Sequence, residues 1–365
     1  MKRNSNSSPQ KATLTTPIPN LILENASVAA EANLHYITNT SDGITRIKKG
    51  KGFCYKLANA IVKDKTIIKR IQALAIPPAW QKVWICKDAK GHIQATGIDA
   101  KNRKQYRYHP LWNVLTNEKK FHRMIEFGEA LPAIRLQIEK DLSEKILSEN
   151  KVIATVIALM ERTYIRVGNE AYKKLNDSYG LTTLQDKHVT IDSNCIQFSF
   201  KGKKSIHHTI SLQHKKLAKI VKACRDIPGK ELFQYYTPDG NTASIDSGMV
   251  NAYIKNITQS SFTAKDFRTW AGCLHFITAF KEYNITEQDR KNVTVNQLFD
   301  AVSKQLGNTR TVCKKYYVHP ALVKLFEDNT LEKYINQLNA IEVDDCKTSL
   351  TKDEFVLMEI LKKVI

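Results

Sequence analysis

Val152-Ile153-Ala154-Thr155-Val156-Ile157-Ala158-Leu159-Met160 is apolar on nearly every side. A helix without a polar face has to be buried, so this stretch predicts the centre of a helical core. It runs directly into Glu161-Arg162-Thr163-Tyr164-Ile165-Arg166-Val167-Gly168-Asn169-Glu170. Arg166 therefore stands at the end of a strongly apolar element, where a cation needs a partner or a ligand. Two readings stand side by side: a salt bridge to Glu161 or Glu170, or an anionic ligand.

Upstream, the texture changes near residue 112. From Leu111 on, 118–127 and 131–150 carry apolar residues three and four apart with charges between them, the pattern of amphipathic helices. Before that point the chain reads as strands and turns. Residues 1 to 24 are polar and predict a disordered tail, and 25–40 predict a short Ala-rich helix. Spaced glycines after Asp42 and the alternation around Ile44, Arg46, Phe53 and Tyr55 predict a hairpin. Lys48, Lys49 and Lys51 at its tip face either phosphate or solvent. Residues 65–74 are helical by period, and 83–86 with 92–97 form a second hairpin. Then Lys101, Arg103, Lys104 and Arg107 interleave with Tyr106 and Tyr108. Cations neutralise phosphates, tyrosines pack on sugars or bases, and Gln105 is able to read a base edge. An ordinary basic loop is the competing reading. The organisation expected is a tail over 1–24, a β-rich domain over 25–112 and a helical domain over 113–365.

Downstream, 181–184, 188–191, 196–200 and 206–210 read as short strands of a small antiparallel sheet. Lys201-Gly202-Lys203-Lys204 is a basic hairpin tip. His207 and His208, adjacent in a strand, point to opposite faces, which argues against a shared metal. Helices are expected over 213–225, 246–257, 269–282 and 292–306. Phe262-Thr263-Ala264-Lys265-Asp266-Phe267-Arg268-Thr269-Trp270 puts a second arginine at a helix start, with Thr263 and Asp266 able to cap and Asp266 as its competing ion-pair partner. In Gly307-Asn308-Thr309-Arg310-Thr311-Val312-Cys313-Lys314-Lys315-Tyr316-Tyr317-Val318-His319-Pro320, Thr309 or Thr311 caps a helix that runs to about Val318 and is ended or bent by Pro320. A tyrosine near that end is a phenol offered to a phosphate, or a core or rim residue. The chain is then helical to its end, with a loop around 343–349.

Lys and Arg number 56 against 36 acids, a net charge of +20 over 365 residues. That excess speaks for a polyanionic partner, nucleic acid first, with an anionic membrane surface or a ribosomal location as alternatives. No run of 18 apolar residues suggests a membrane span, and no apolar leader suggests secretion. The seven cysteines are scattered without a Cys-x-x-Cys pair. They read as free thiols of a reducing cytoplasm rather than zinc ligands or disulfides.

Taken in order, Ile165-Arg166-Val167-Gly168-Asn169, Phe200-Lys201-Gly202-Lys203, Lys265-Asp266-Phe267-Arg268-Thr269 and Gly307-Asn308-Thr309, with Tyr317-Val318-His319-Pro320 nine residues after Asn308, resemble the type IB DNA topoisomerases of the compact poxvirus-like and bacterial branch. Ile76-Pro77-Pro78-Ala79-Trp80, Gln94-Ala95-Thr96-Gly97 and Lys104-Gln105-Tyr106-Arg107-Tyr108-His109 look like the same branch. The resemblance covers residues 40 to 325.

It implies an α+β protein with a small β-rich N-terminal domain and a larger, mainly α-helical catalytic domain containing a small antiparallel sheet. The two would close as a clamp on double-stranded DNA. It implies Tyr317 as the nucleophile that holds a 3′-phosphate. Arg166 and Arg268 would clamp the non-bridging oxygens, Lys203 would be the general acid for the leaving 5′-oxygen, and Asn308 a hydrogen-bond donor. Supercoils would relax without ATP, metal or other cofactor, by a monomer, in the cytoplasm near the nucleoid or in a virion. Two departures stand out. Asn308 replaces the His of the eukaryotic and poxvirus enzymes, and Arg310 stands where the bacterial pattern usually has Pro. Tyr316 lies beside Tyr317, and adjacent helical residues point about 100° apart, so only one faces the phosphate. The competing family is the tyrosine recombinases, which usually carry His where Lys265 stands. A non-catalytic DNA-binding or ribosomal protein would explain the charge but not the ordered motifs.

Overall fold

A computed structural model of the protein describes residues 26–50, 52–100, 102–283, 293–339 and 348–364. The expected tail, Lys51, Lys101, Cys346 and most of the expected 343–349 loop lie outside them. The chain divides into two compact units, Met1–Lys120 and Phe121–Ile365.

The first unit holds six antiparallel strands: β1 (Gly43–Lys49), β2 (Gly52–Leu57), β3 (Ala60–Ile61), β4 (Gln81–Cys86), β5 (Ile93–Ile98) and β6 (Lys104–Tyr108). Their order is β3-β2-β1-β4-β5-β6. Ile44, Val83, Ile85 and Ala95 are buried from this sheet, and Ile71 of the helix Lys65–Ala73 packs with them. Asp64 caps that helix through its carboxylate, which accepts from the Thr66 and Ile67 amides. Within the basic segment, Lys104–Tyr108 is not a loop. It forms the edge strand β6, with Tyr106 opposite Thr96 and Lys104 opposite Ile98. The period of two then divides its side chains, leaving Lys104, Tyr106 and Tyr108 exposed and Gln105 and Arg107 half-buried.

In the second unit every residue from Val152 to Met160 is buried inside the helix Glu149–Thr163. The two helical patterns of 118–127 and 131–150 resolve differently. One helix runs Pro110–Leu142 through Pro132, and the next begins after Ser148. Pro132 costs a backbone hydrogen bond. Phe121, Met124, Phe127, Leu131, Ile134, Ile138 and Leu142 nonetheless form one continuous buried stripe across it, and burial on that scale outweighs one bond.

Residues 181–184 are not a strand either. Leu181–Thr183 is a tight helical turn, because the Thr183 hydroxyl bonds Gly180 and the Thr182 hydroxyl bonds the Val167 carbonyl. The small sheet is β7 (Val189–Asp192), β8 (Cys195–Lys201) and β9 (His207–Gln213), antiparallel, with Lys201 opposite His207. A short hairpin, β10 (Gln234–Tyr236) and β11 (Thr242–Ser244), is an element the sequence reading did not include.

Helices follow over Lys215–Arg225, Ser247–Thr258, Ala264–Tyr283, Val295–Leu306, Arg310–Tyr316, Pro320–Glu327, Leu331–Asn339 and Lys352–Val364. The helix expected over 269–282 starts at Ala264, because the Asp266 carboxylate accepts from the Thr263 amide and hydroxyl and closes the first turn there. Arg268 is thereby moved from the helix start into its interior. The last helix buries Glu354, Val356, Leu357, Met358, Ile360 and Leu361, so this stretch without a motif is part of the core. Among the described residues no helix is long and apolar enough to cross a membrane, and the six cysteines Cys54, Cys86, Cys195, Cys224, Cys273 and Cys313 are free thiols.

Candidate active site

Arg166, Lys203, Arg268, Asn308 and Tyr317 come together in the second unit from five separate segments. Tyr164 ends the Glu149–Thr163 helix in the left-handed conformation, at φ 55°. The chain that follows is pinned: the Leu181 amide donates to the Arg166 carbonyl at 2.9 Å and the Thr182 amide to the Val167 carbonyl at 2.7 Å. From this fixed backbone Arg166 Nη2 donates to Asn308 Oδ1 at 2.6 Å. A guanidinium only donates, so the amide oxygen of Asn308 must face it. The Asn308 Nδ2 is then left with one long bond, 3.4 Å, to the Leu306 carbonyl. Neither salt bridge foreseen for Arg166 forms. Glu161 pairs with Arg135 at 2.7 Å and Glu170 with Lys173 at 3.3 Å.

Arg268 is buried, at 5% exposure. Its Nη2 donates to the Leu306 carbonyl at 2.6 Å and its Nη1 to the Tyr164 carbonyl. The guanidinium lies 5.5 Å from the centre of the Tyr317 ring. Its foreseen partner, Asp266, is spent on the helix cap. Lys203 opens the tight turn Lys203–Ser205 between β8 and β9, where Lys204 and Ser205 both have positive φ, 64° and 62°.

The Tyr317 segment departs from expectation in one respect. Thr309 caps the helix Arg310–Tyr316, but that helix stops before Tyr317, which has φ −124° and ψ −24°. Pro320 begins the next helix rather than ending this one, with His319 as its cap. A proline in the first turn has no amide to lose. The Tyr317 backbone sits directly on the Ala264–Tyr283 helix. A Cβ at Gly272 would come within 2.6 Å of the Tyr317 carbonyl oxygen and 2.7 Å of its Cβ. The Cys273 thiol donates to that carbonyl at 3.4 Å, and the His319 amide donates to the Cys273 sulfur at 3.2 Å. Tyr316, one residue earlier, is 41% exposed with Lys315 over its ring.

The electrostatics of this cluster are unusual in their sign. Burial pushes the Tyr317 phenol up, but the Arg268 charge and hydrogen bond, then Arg166 and Lys203, outweigh it, and its pKa lies below the usual value. Burial and then the Arg166 charge push the Lys203 ammonium below its usual value. Burial and the facing Arg268 bring Arg166 down to about 10. It stays charged at neutral pH, but no carboxylate is among the groups acting on it. Lys203, half-buried Arg166 and buried Arg268 therefore surround the phenol, and among the described residues no acid pairs with either guanidinium, an arrangement that favours phosphate. Arg310 does not join them. It forms an exposed pair with Asp300 at 2.5 Å.

The residues proposed from sequence for nucleic-acid contact separate into two groups. Arg103 and Gln105 are both held by Asp99, at 2.7 and 2.9 Å. Arg107 donates to the Ala75 carbonyl at 2.9 Å and stacks over Trp80. Tyr106 and Tyr108 stack on each other at 5.8 Å on the exposed face, with Lys104 5.6 Å from the Tyr106 ring centre. Sequence reasoning missed Gly272 and the Tyr164 carbonyl, and neither carries a signal in the chain: both act through backbone proximity. Among the described residues no group of three or more His, Cys, Asp and Glu is placed to hold a metal ion.

Comparison with known proteins adds independent findings. Residues 103–344 match the family described as eukaryotic DNA topoisomerase I, catalytic core, and residues 52–99 match bacterial DNA topoisomerase IB, N-terminal domain. The chain is 34% identical to the DNA topoisomerase 1B of Acanthamoeba polyphaga mimivirus over 83% of this chain and 93% of that protein. It is 23% identical to the DNA topoisomerase 1B of vaccinia virus (strain Copenhagen) over 83% of this chain and 97% of that one. Among solved structures, XerH site-specific recombinase bound to palindromic difH substrate aligns with 56% of this chain and 51% of that one at 16% identity and a TM-score of 0.35, too slight a likeness to bear on fold or function.

Proposed function

Since the chain belongs to the type IB DNA topoisomerase family, we propose that Tyr317 is the residue that cuts and holds the DNA strand. Its phenol loses its proton and the oxygen bonds to phosphorus. The bond from phosphorus to the 5′-oxygen breaks, and Lys203 delivers the proton that oxygen needs. A 3′-phosphotyrosyl link and a free 5′-hydroxyl result. Arg166 and Arg268 hold the non-bridging oxygens as negative charge accumulates on them, and the Asn308 Nδ2 donates a further hydrogen bond. The cut strand rotates, supercoils of either sign relax, and the reaction runs backward. The phosphodiester energy stays in the phosphotyrosine, so no ATP is spent.

One observation carries this assignment: the Tyr317 phenol has its pKa lowered, despite burial, by Arg268, Arg166 and Lys203. A phenol ordinarily titrates near pH 10 and is a weak nucleophile at neutral pH. Here three cations make its anion accessible, and two of them, Arg166 and Lys203, are themselves pushed down, by burial first and then by neighbouring cations. A lysine of lowered pKa is a suitable acid near neutral pH.

The two units act on duplex DNA as a clamp worked by a monomer, the first unit contributing Lys104, Tyr106 and Tyr108 of β6. Arg103, Gln105 and Arg107 contribute once released from Asp99 and Ala75, or by holding β6 in shape.

Relaxation of supercoiled plasmid in EDTA without ATP tests the reading. Wild type and Tyr316→Phe relax the plasmid and Tyr317→Phe does not. Binding in the same reactions falls steeply between about 50 and 200 mM salt, because each phosphate contact releases counterions. Loss of activity in Tyr316→Phe alone would move the nucleophile by one residue. A flat salt response would remove the clamp.

A further inference from the structure

We propose that His208 is a positioning residue: its imidazole is the spacer that fixes the Lys203 turn against the Asn308 turn. The ring stands on β9, opposite Phe200, and stacks on that side chain at 5.4 Å. Its two edges meet two glycine backbones. A Cβ at Gly202 would lie 2.5 Å from His208 Cδ2, and a Cβ at Gly307 would lie 2.5 Å from His208 Cε1. Neither site has room for a methyl group while the ring is in place. Gly202 immediately precedes Lys203, and Gly307 immediately precedes Asn308. A rigid ring is thus wedged between the two turns that deliver these side chains.

The turns differ in what else holds them. Asn308 is fixed independently by Arg166 at 2.6 Å. The Lys203 turn is closed by two backbone bonds, Gly202 amide to Ile206 carbonyl at 2.7 Å and Ser205 amide to Gly202 carbonyl at 3.1 Å, without a side-chain tie like that of Asn308, and it passes through two non-glycine residues of positive φ. Such residues are strained, and the surroundings have to hold them. Removal of the ring therefore frees Lys203 and leaves Asn308 in place. Burial, then the charges of Arg166, Arg268 and the neighbouring His207, hold the His208 imidazole neutral. The spacer adds no further charge to the site. His207 points away, to the Ser199 hydroxyl at 3.0 Å.

This inference rests on Lys203 as the proton donor, and the experiment separates the two claims. Single-turnover cleavage by the full-length protein is measured on two duplexes, one ordinary and one with the leaving 5′-oxygen replaced by sulfur. A thiolate departs without a proton. Lys203→Ala is slow on oxygen and close to wild type on sulfur. If sulfur does not rescue Lys203→Ala, the donor role of Lys203 fails and the inference with it.

With that role upheld, His208→Ala is about 10- to 100-fold slow on oxygen, the loss typical of a misplaced reacting group, and is restored by sulfur. His208→Phe, whose ring fills the same slot, stays within a few-fold of wild type on both substrates. A wild-type rate for His208→Ala on oxygen, or equal slowing on both substrates, overturns the inference. If His208→Ala does not fold, His208→Phe decides: a near-wild-type rate on oxygen, or slowing on oxygen alone, upholds the spacer, and equal slowing on both overturns it.

Discussion

The second unit buries arginine in two ways. Arg135, on the Pro110–Leu142 helix, lies between two carboxylates, Glu161 and Glu354, each at 2.7 Å. Glu354 is itself held by the Trp270 indole at 3.0 Å and the Thr351 amide at 2.9 Å. Burial lowers the Arg135 pKa, but the two acids raise it by more, and the result is a guanidinium above its usual value. Arg166 is half-buried, faces Arg268 instead of an acid, and is lowered by burial first and then by that neighbouring charge. Glu161 lies five residues before Arg166 and was its foreseen partner, yet the fold assigns it to Arg135. A buried cation with its acids is a finished structural joint. A buried cation beside another cation is unfinished until an anion arrives.

The sharpest break of this comparison is a double exchange. Arg268→Ala removes an uncompensated charge. The strand-cleavage rate falls by about 100- to 1000-fold, the usual cost of one donor to a developing oxyanion, with the melting temperature held or raised. Glu354→Ala leaves Arg135 short of a carboxylate and lowers stability by about 3–5 kcal/mol, with the cleavage rate per folded molecule retained. Denaturant unfolding beside single-turnover cleavage reads both. A destabilised Arg268→Ala with normal cleavage would reverse the two roles. The Glu354 carboxyl sits below its usual range, chiefly because Arg135 overcomes the burial that would raise it. Its contribution to stability is therefore complete above the unfolded carboxyl value and is lost as pH falls through the lower folded one.

A smaller effect sharpens the geometry. Gly272→Ala pushes a methyl group into the Tyr317 backbone, within 2.6 Å of its carbonyl oxygen. Cleavage falls about 10- to 100-fold, as for any displacement of a reacting atom by a fraction of an ångström to an ångström, while salt-dependent DNA binding is unchanged. Equal weakening of binding would mean that the helix, not the tyrosine, had moved.

The mildest test is the pH profile. Cleavage rises with pH as Tyr317 ionises, along a limb that lies below the ordinary phenol range because Arg268, Arg166 and Lys203 overcome burial. It falls again as Lys203, lowered first by burial and then by Arg166, gives up its proton. Arg268→Ala moves the rising limb to higher pH, and Lys203→Ala abolishes the falling one. An unmoved rising limb in Arg268→Ala would separate that arginine from the phenol.

Much of this was legible in the chain because it was local. The all-round apolar run 152–160 predicts burial whatever surrounds it. The alternation around Ile44, Arg46, Phe53 and Tyr55 predicts strands through a period of two. The order Arg166, Lys203, Arg268, Asn308, Tyr317 survives as spacing. Where local signals misled, a partner distant in sequence decided. Pro132 lies inside a helix because Phe127, Leu131 and Ile134 pack on both sides of it. Residues 181–184 are a turn because the Thr182 hydroxyl finds the Val167 carbonyl. The basic segment 103–108 includes an edge strand because β5 offers it a ladder.

By itself, then, the sequence determined which residues carry charge and phenol, where the core lies, and which family they spell. Only the tertiary structure decided that Glu161 belongs to Arg135 and Asp266 to a helix cap, leaving Arg166 and Arg268 without an acid among the described residues. Only it decided that Gly272 seats Tyr317, and that the His208 ring lies between Gly202 and Gly307. The reason is that spacing fixes the face a side chain occupies within its own element. The atom it meets belongs to another element, and the packing of the whole unit brings the two together.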